Sequence, residues 1–121
     1  MEDLFEFARK TMNDVNNKDI KNMPLLYNKS SADEKIFIDA FMIKFKKYKK
    51  GIIYNEKSGC INFCYDNMQI GRIRLNDKKR RMQILTTYGV EWKENVSLIE
   101  AIDNLNKWDL YLKEIVKLKE C

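Results

Sequence analysis

Apolar residues recur along this chain with two different periods. Three stretches follow the three-to-four residue spacing of a helix, and the middle alternates as strands do. Asp3 with Glu6 is a helix start, and Leu4, Ala8, Met12 and Val15 follow at helical spacing. This predicts a short first helix ending near Asn16-Asn17. The segment Lys18 to Lys29 contains Pro24 and has no clear period; Leu25, Leu26 and Tyr27 are expected to pin it to the core. Ser31-Ala32-Asp33-Glu34 reads as a capping box that opens a long helix through Lys50. Its stripe is Phe37, Phe41, Phe45 and Tyr48, and Gly51 is placed to end it. Ser97 with Glu100 opens the last helix, Leu98 to about Lys119, with Val96 as an apolar staple toward Ala101.

Between the long helices lies the strand-like region. Cys60–Tyr65, Met68–Leu75 and Arg80–Thr87 read as a meander, turned at Asp66-Asn67 and at Asn76–Lys79, where Asn and Asp tolerate tight turns. Ile52-Ile53-Tyr54 and Val90-Glu91-Trp92 are candidate short strands. Alternation fails inside the second strand: carried through from Met68 and Ile70, it would put Arg72 and Arg74 on the apolar face. A bulge at Gly71 adds one residue and restores the order. Ile61, Phe63, Tyr65, Met68, Ile70, Ile73, Leu75, Met82 and Ile84 then share one face, and Arg74, Arg81 and Gln83 lie opposite with Asn62 and Gln69. The expected fold is α+β and a single domain over residues 1–121. A three- to four-stranded antiparallel meander is packed on one face by the two long helices, with a short N-terminal helix beside them.

Composition narrows the function classes. The chain has no histidine, so the commonest general base and metal ligand are missing. Three scattered cysteines do not make a zinc site, and Gly51, Gly59, Gly71 and Gly89 stand too far apart for a phosphate loop. No cofactor or metal is expected, and no enzyme. Glu91 beside Trp92 has the pattern of a tuned acid, but an exposed strand carboxylate next to a core tryptophan is the preferred reading. Cys60 and Cys64 lie near arginines, which favours thiolate; small apolar filling of a strand is the commoner role. The acidic N-terminus lacks the shape of a secretory signal and no apolar run is long enough to span a membrane, so a cytoplasmic protein is expected.

Charge is uneven. Lys44 to Arg81 holds 12 basic against 3 acidic residues, whereas the remainder holds 11 basic against 15 acidic. The candidate binding residues are Arg72, Arg74, Lys78, Lys79, Arg80 and Arg81, with Lys46, Lys47, Lys49 and Lys50 ending the preceding helix. Such groups hold phosphates and carboxylates. Phe63 and Tyr65 fall on the buried face, which weakens any base-stacking platform.

Lys, Asn and Ile supply 43 of the 121 residues. Short, single-domain and free of motifs, the chain resembles the accessory proteins that phages and other mobile elements of low-GC bacteria carry, anti-CRISPR and related anti-defence inhibitors among them. The resemblance covers general character and transfers no residue. It implies a non-enzymatic inhibitor that docks on a host protein or nucleoprotein complex through the basic hairpin. Direct DNA or RNA binding by the same patch is the alternative.

Overall fold

The computed structural model describes residues 20–120, so the helix expected from Asp3 to Asn17 and Cys121 lie outside it. Helix α1 occupies residues 20–29 and α2 Ala32–Lys44, followed by a 3-10 segment, Lys46–Gly51. The strands are β1 (Ile52–Lys57), β2 (Cys60–Tyr65), β3 (Met68–Leu75), β4 (Arg80–Thr86) and β5 (Gly89–Glu94). Helices α3 (Leu98–Asp103) and α4 (Leu105–Glu120) close the chain. All five strands form one antiparallel sheet in sequence order, an α+β meander in which every connection is local.

The bulge lies where alternation requires it. Phe63 pairs with Gly71 but Cys64 pairs with Gln69, which leaves Ile70 as the extra residue beside Gly71. Beyond it Ile73 and Leu75 turn inward, while Arg72 and Arg74 turn outward opposite Asn62 and Arg81. Gly71 has a second role. The Trp108 indole of α4 lies flat against its backbone, so a Cβ there would stand 2.4 Å from Trp108 Cε2. Trp108 Nε1–H donates to the Gln83 carbonyl of β4 at 2.7 Å. Phe37, Phe41 and Phe63 surround the indole with ring centroids 5.5–6.0 Å away.

The capping box of α2 is present and does more than cap. Ser31 Oγ accepts from Glu34 N–H, and Glu34 Oε1 accepts from Ser31 N–H. The same two side chains reach the end of β3: Ser31 Oγ–H donates to the Leu75 carbonyl at 2.6 Å, and Leu75 N–H donates to Glu34 Oε2 at 3.0 Å. A buried carboxylate with backbone donors on both oxygens joins the helix to the sheet.

Four expectations need correction. The helix from Ala32 ends at Lys44 rather than Lys50, because Phe45 leaves helical geometry and the next turn is 3-10. In that tighter turn residues three apart eclipse, which keeps Phe45 and Tyr48 on one side, with Tyr48 edge-on to Tyr65. Residues 20–29, which the sequence left poorly defined, are helical, with the fixed φ of Pro24 in the helical range and one backbone donor lost there. Leu26 of that helix is buried, whereas Leu25 is exposed. The sheet has five full strands, since β1 and β5 both pair along six residues. The last helix divides at Asn104, whose side chain donates to the Glu100 carbonyl and competes with the backbone ladder.

Glu34→Ala leaves the Leu75 and Ser31 N–H groups without their carboxylate and is expected to lower unfolding free energy by about 3 kcal/mol, measured by urea denaturation. A loss below about 1 kcal/mol would show that the joint between α2 and β3 contributes little.

Candidate functional site: the arginine cluster on the far sheet face

The described helices pack on the face that carries Phe63, Ile73, Met82 and Ile84. The opposite face carries ordered rows of polar residues. One row reads, strand by strand, Lys57, Cys60, Arg74, Arg81 and Glu94: Lys57 pairs with Cys60, Arg74 with Arg81, and Arg81 with Glu94. Extending the β2–β3 register by one residue sets Arg74 beside Cys60. The next row holds Asn55, Asn62, Arg72, Gln83 and Trp92. An amide ladder stitches the strands here. Asn62 donates to Asn55 Oδ1, and Gln69 Nε2 donates to both Asn62 Oδ1 and Gln83 Oε1 at 2.9 and 3.0 Å. These bonds explain how Asn62 and Gln83 are buried without an orphaned amide.

Three guanidiniums gather on this ladder. Arg81 lies over the Trp92 ring, Cζ 3.9 Å from its centroid, and its Nη2 pairs with Glu94 Oε1 at 3.0 Å. The guanidiniums of Arg72 and Arg74 have no ion-pair or hydrogen-bond partner among the described residues. The Nε atoms of all three arginines are buried and unpartnered. Among the described residues, one carboxylate thus answers three cations. Cys60 registers the cluster: burial pushes its thiol above the ordinary value, and the charges of Arg81, Arg74 and Arg72 offset part of that rise.

The structure divides the sequence-predicted binding set. Arg72, Arg74 and Arg81 come together, and Lys78 and Lys79 stand exposed at the neighbouring turn, where Asn76 Oδ1 accepts from both their N–H groups. Arg80 does not join them. It points to the helix side, where Nη2 pairs with Asp33 Oδ2 at 2.7 Å and Nε donates to the Val96 carbonyl. Lys46, Lys47, Lys49 and Lys50 precede β1, at the opposite end of the sheet. A six-residue strand separates the two groups by roughly 20 Å. Sequence reading missed Trp92, Glu94 and Lys57 as members of the row. Their signal was the parity of β5 and β1, readable only once both strands are known to pair along their length.

Other candidate chemistry does not converge. Glu91 is exposed, points to the face opposite Trp92, and pairs with Lys93 at 3.4 Å. Among the described residues no three His, Cys, Asp or Glu side chains group as a metal site, and no helix is long and apolar enough to cross a membrane. Comparison with known proteins gives no match, whether to a family model, a curated protein or a solved structure.

The raised Cys60 thiol predicts slow alkylation. In native protein at pH 8, iodoacetamide is expected to leave Cys60 unmodified over the time that alkylates it fully in urea, read by peptide mass spectrometry. Native labelling at the rate of a free thiol would contradict the placement of Cys60.

Proposed function

We propose that this chain is a non-enzymatic binding protein whose arginine face docks on an acidic surface of a partner protein. The observation that carries the proposal is the excess of charge: Arg72, Arg74 and Arg81 lie together on a sheet face that no described element covers, with Glu94 as their carboxylate. Arginine and tryptophan are the residue types that dominate interface hot spots, and the Arg81–Trp92 stack presents both. A five-stranded sheet held by the amide ladder is a rigid platform, so little ordering entropy opposes docking. The compositional likeness to mobile-element accessory proteins makes the partner of this proposal a nucleic-acid-handling protein of a bacterial host, which the bound chain inhibits by occupying a surface.

Direct binding of nucleic acid through the same face finds less support. Phe63 and Tyr65 face the helices, and Trp92 has one ring face under Arg81, so among the described residues the arginine cluster has no row of free rings beside it for bases.

Reversing the charge with Arg74→Glu and Arg81→Glu together is expected to abolish capture of a nucleic-acid-handling protein from lysates of low-GC bacteria. Lys46→Glu with Lys47→Glu, at the far end of the sheet, is expected to leave capture intact. Identical captured proteins for wild type and the arginine variant would refute the proposal. Tight, salt-sensitive binding of oligonucleotides at about 50 mM salt would move the assignment to nucleic acid.

A further inference from the structure

We propose that the arginine face recognises two carboxylates spaced two residues apart on an extended acidic segment of the partner. This rests on the docking reading above and adds the chemistry and spacing of the ligand.

Arg72 and Arg74 leave one strand on the same side, two residues apart, which sets their origins about 6.6 Å from each other. Alternate side chains of an extended peptide repeat at the same distance. An acidic segment laid along β3 therefore offers one carboxylate to each arginine, with the intervening side chain turned away. Arg81 stands directly across from Arg74 and reinforces that position, although Glu94 already takes part of its charge. Arg72 has Asn62 across from it and no carboxylate among its described neighbours.

The donors select the ligand class. Each of the three Nε–H groups is buried without a partner. A carboxylate approaching a guanidinium side-on pairs with Nε–H and one Nη–H together, so turning the arginine edge-on to such a ligand gives the orphaned donor its partner. Lysine offers no planar fork. The sheet face and the covered ring face of Trp92 suit a thin extended chain better than a bulky sugar-phosphate strand with bases to stack.

The test is a fluorescence anisotropy titration of the full chain with two labelled peptides of one composition, Gly-Thr-Glu-Val-Glu-Thr-Gly and Gly-Thr-Val-Glu-Glu-Thr-Gly, and with a 12-nucleotide single strand and a 12-base-pair duplex. The spaced peptide is expected to bind about tenfold more tightly than the adjacent one. Arg72→Lys and Arg74→Lys, which keep the charge and lose the fork, are each expected to remove most of that difference. Lys117→Gln, at an exposed position on α4, is expected to preserve it. Matched urea midpoints confirm that the variants fold. Equal binding of the two peptides, or full retention by the lysine variants, overturns the two-point site and leaves docking on an acidic surface standing. Binding of the oligonucleotides with none of the peptides overturns both. No binding of any probe overturns the two-point site, and the capture experiment then judges the docking reading separately.

Discussion

The contact between Trp108 and Gly71 is the constraint on which the rest of this structure depends. The fully buried indole rests where any β-carbon would stand, and its N–H is committed to the Gln83 carbonyl one strand away. Only a glycine lets α4 approach β3 this closely. That glycine sits beside the extra residue Ile70, whose insertion moves every later side chain of β3 to the opposite face. Core packing and the position of Arg72 and Arg74 are therefore settled at one place. With an unbroken strand, Ile73 and Leu75 would meet solvent and two guanidiniums would face Trp108 and the phenylalanines, an arrangement that the desolvation of charge forbids.

The same alternation divides two neighbouring arginines between two tasks. Arg80 turns toward the helices and is consumed by Asp33 and the Val96 carbonyl, where it helps hold the start of α2 and the approach to α3 against β4. Arg81, one residue on, lies on Trp92 among the cations of the far face. Net charge alone does not distinguish them. What distinguishes them is whether a carboxylate or carbonyl of the fold already satisfies the group. By that criterion the unanswered charge of the strands is concentrated on Arg72 and Arg74. The lysines after α2 form a second basic region at the other end of the sheet, carried on flexible stems with exposed heads.

Much of this was legible in the sequence because it follows from local rules. The capping box at Ser31, the side-chain cap at Ser97, the left-handed turn at Asp66-Asn67 and the bulge each arise within a few residues. The bulge was readable because Ile70 and Ile73 cannot share a face with Phe63 without it. Several of the failures are cases where distant packing decides. Phe45 leaves the helix and stays buried beside Tyr48, which packs edge-on against Tyr65, 17 residues further along the chain. Strand β5 carries Glu91, Lys93 and Glu94 and has a weak apolar signature; pairing with β4 makes it a strand. Arg80 was grouped with its basic neighbours because a run of four cations shows charge but not direction. Of the candidate site, the outward arginines and the amides beneath them were foreseeable, whereas Trp92 and Glu94 needed the fifth strand.

The most direct measurement is a double-mutant cycle between Gly71→Ala and Trp108→Leu, followed by urea unfolding. In the wild-type background the added methyl must displace the indole, and Gly71→Ala is expected to cost about 2 kcal/mol. With leucine at position 108 the space is free, and the same substitution is expected to cost less than about 0.5 kcal/mol. Equal costs in the two backgrounds would contradict the account, because the joint between α4 and β3 would then not be what requires a glycine beside the bulge.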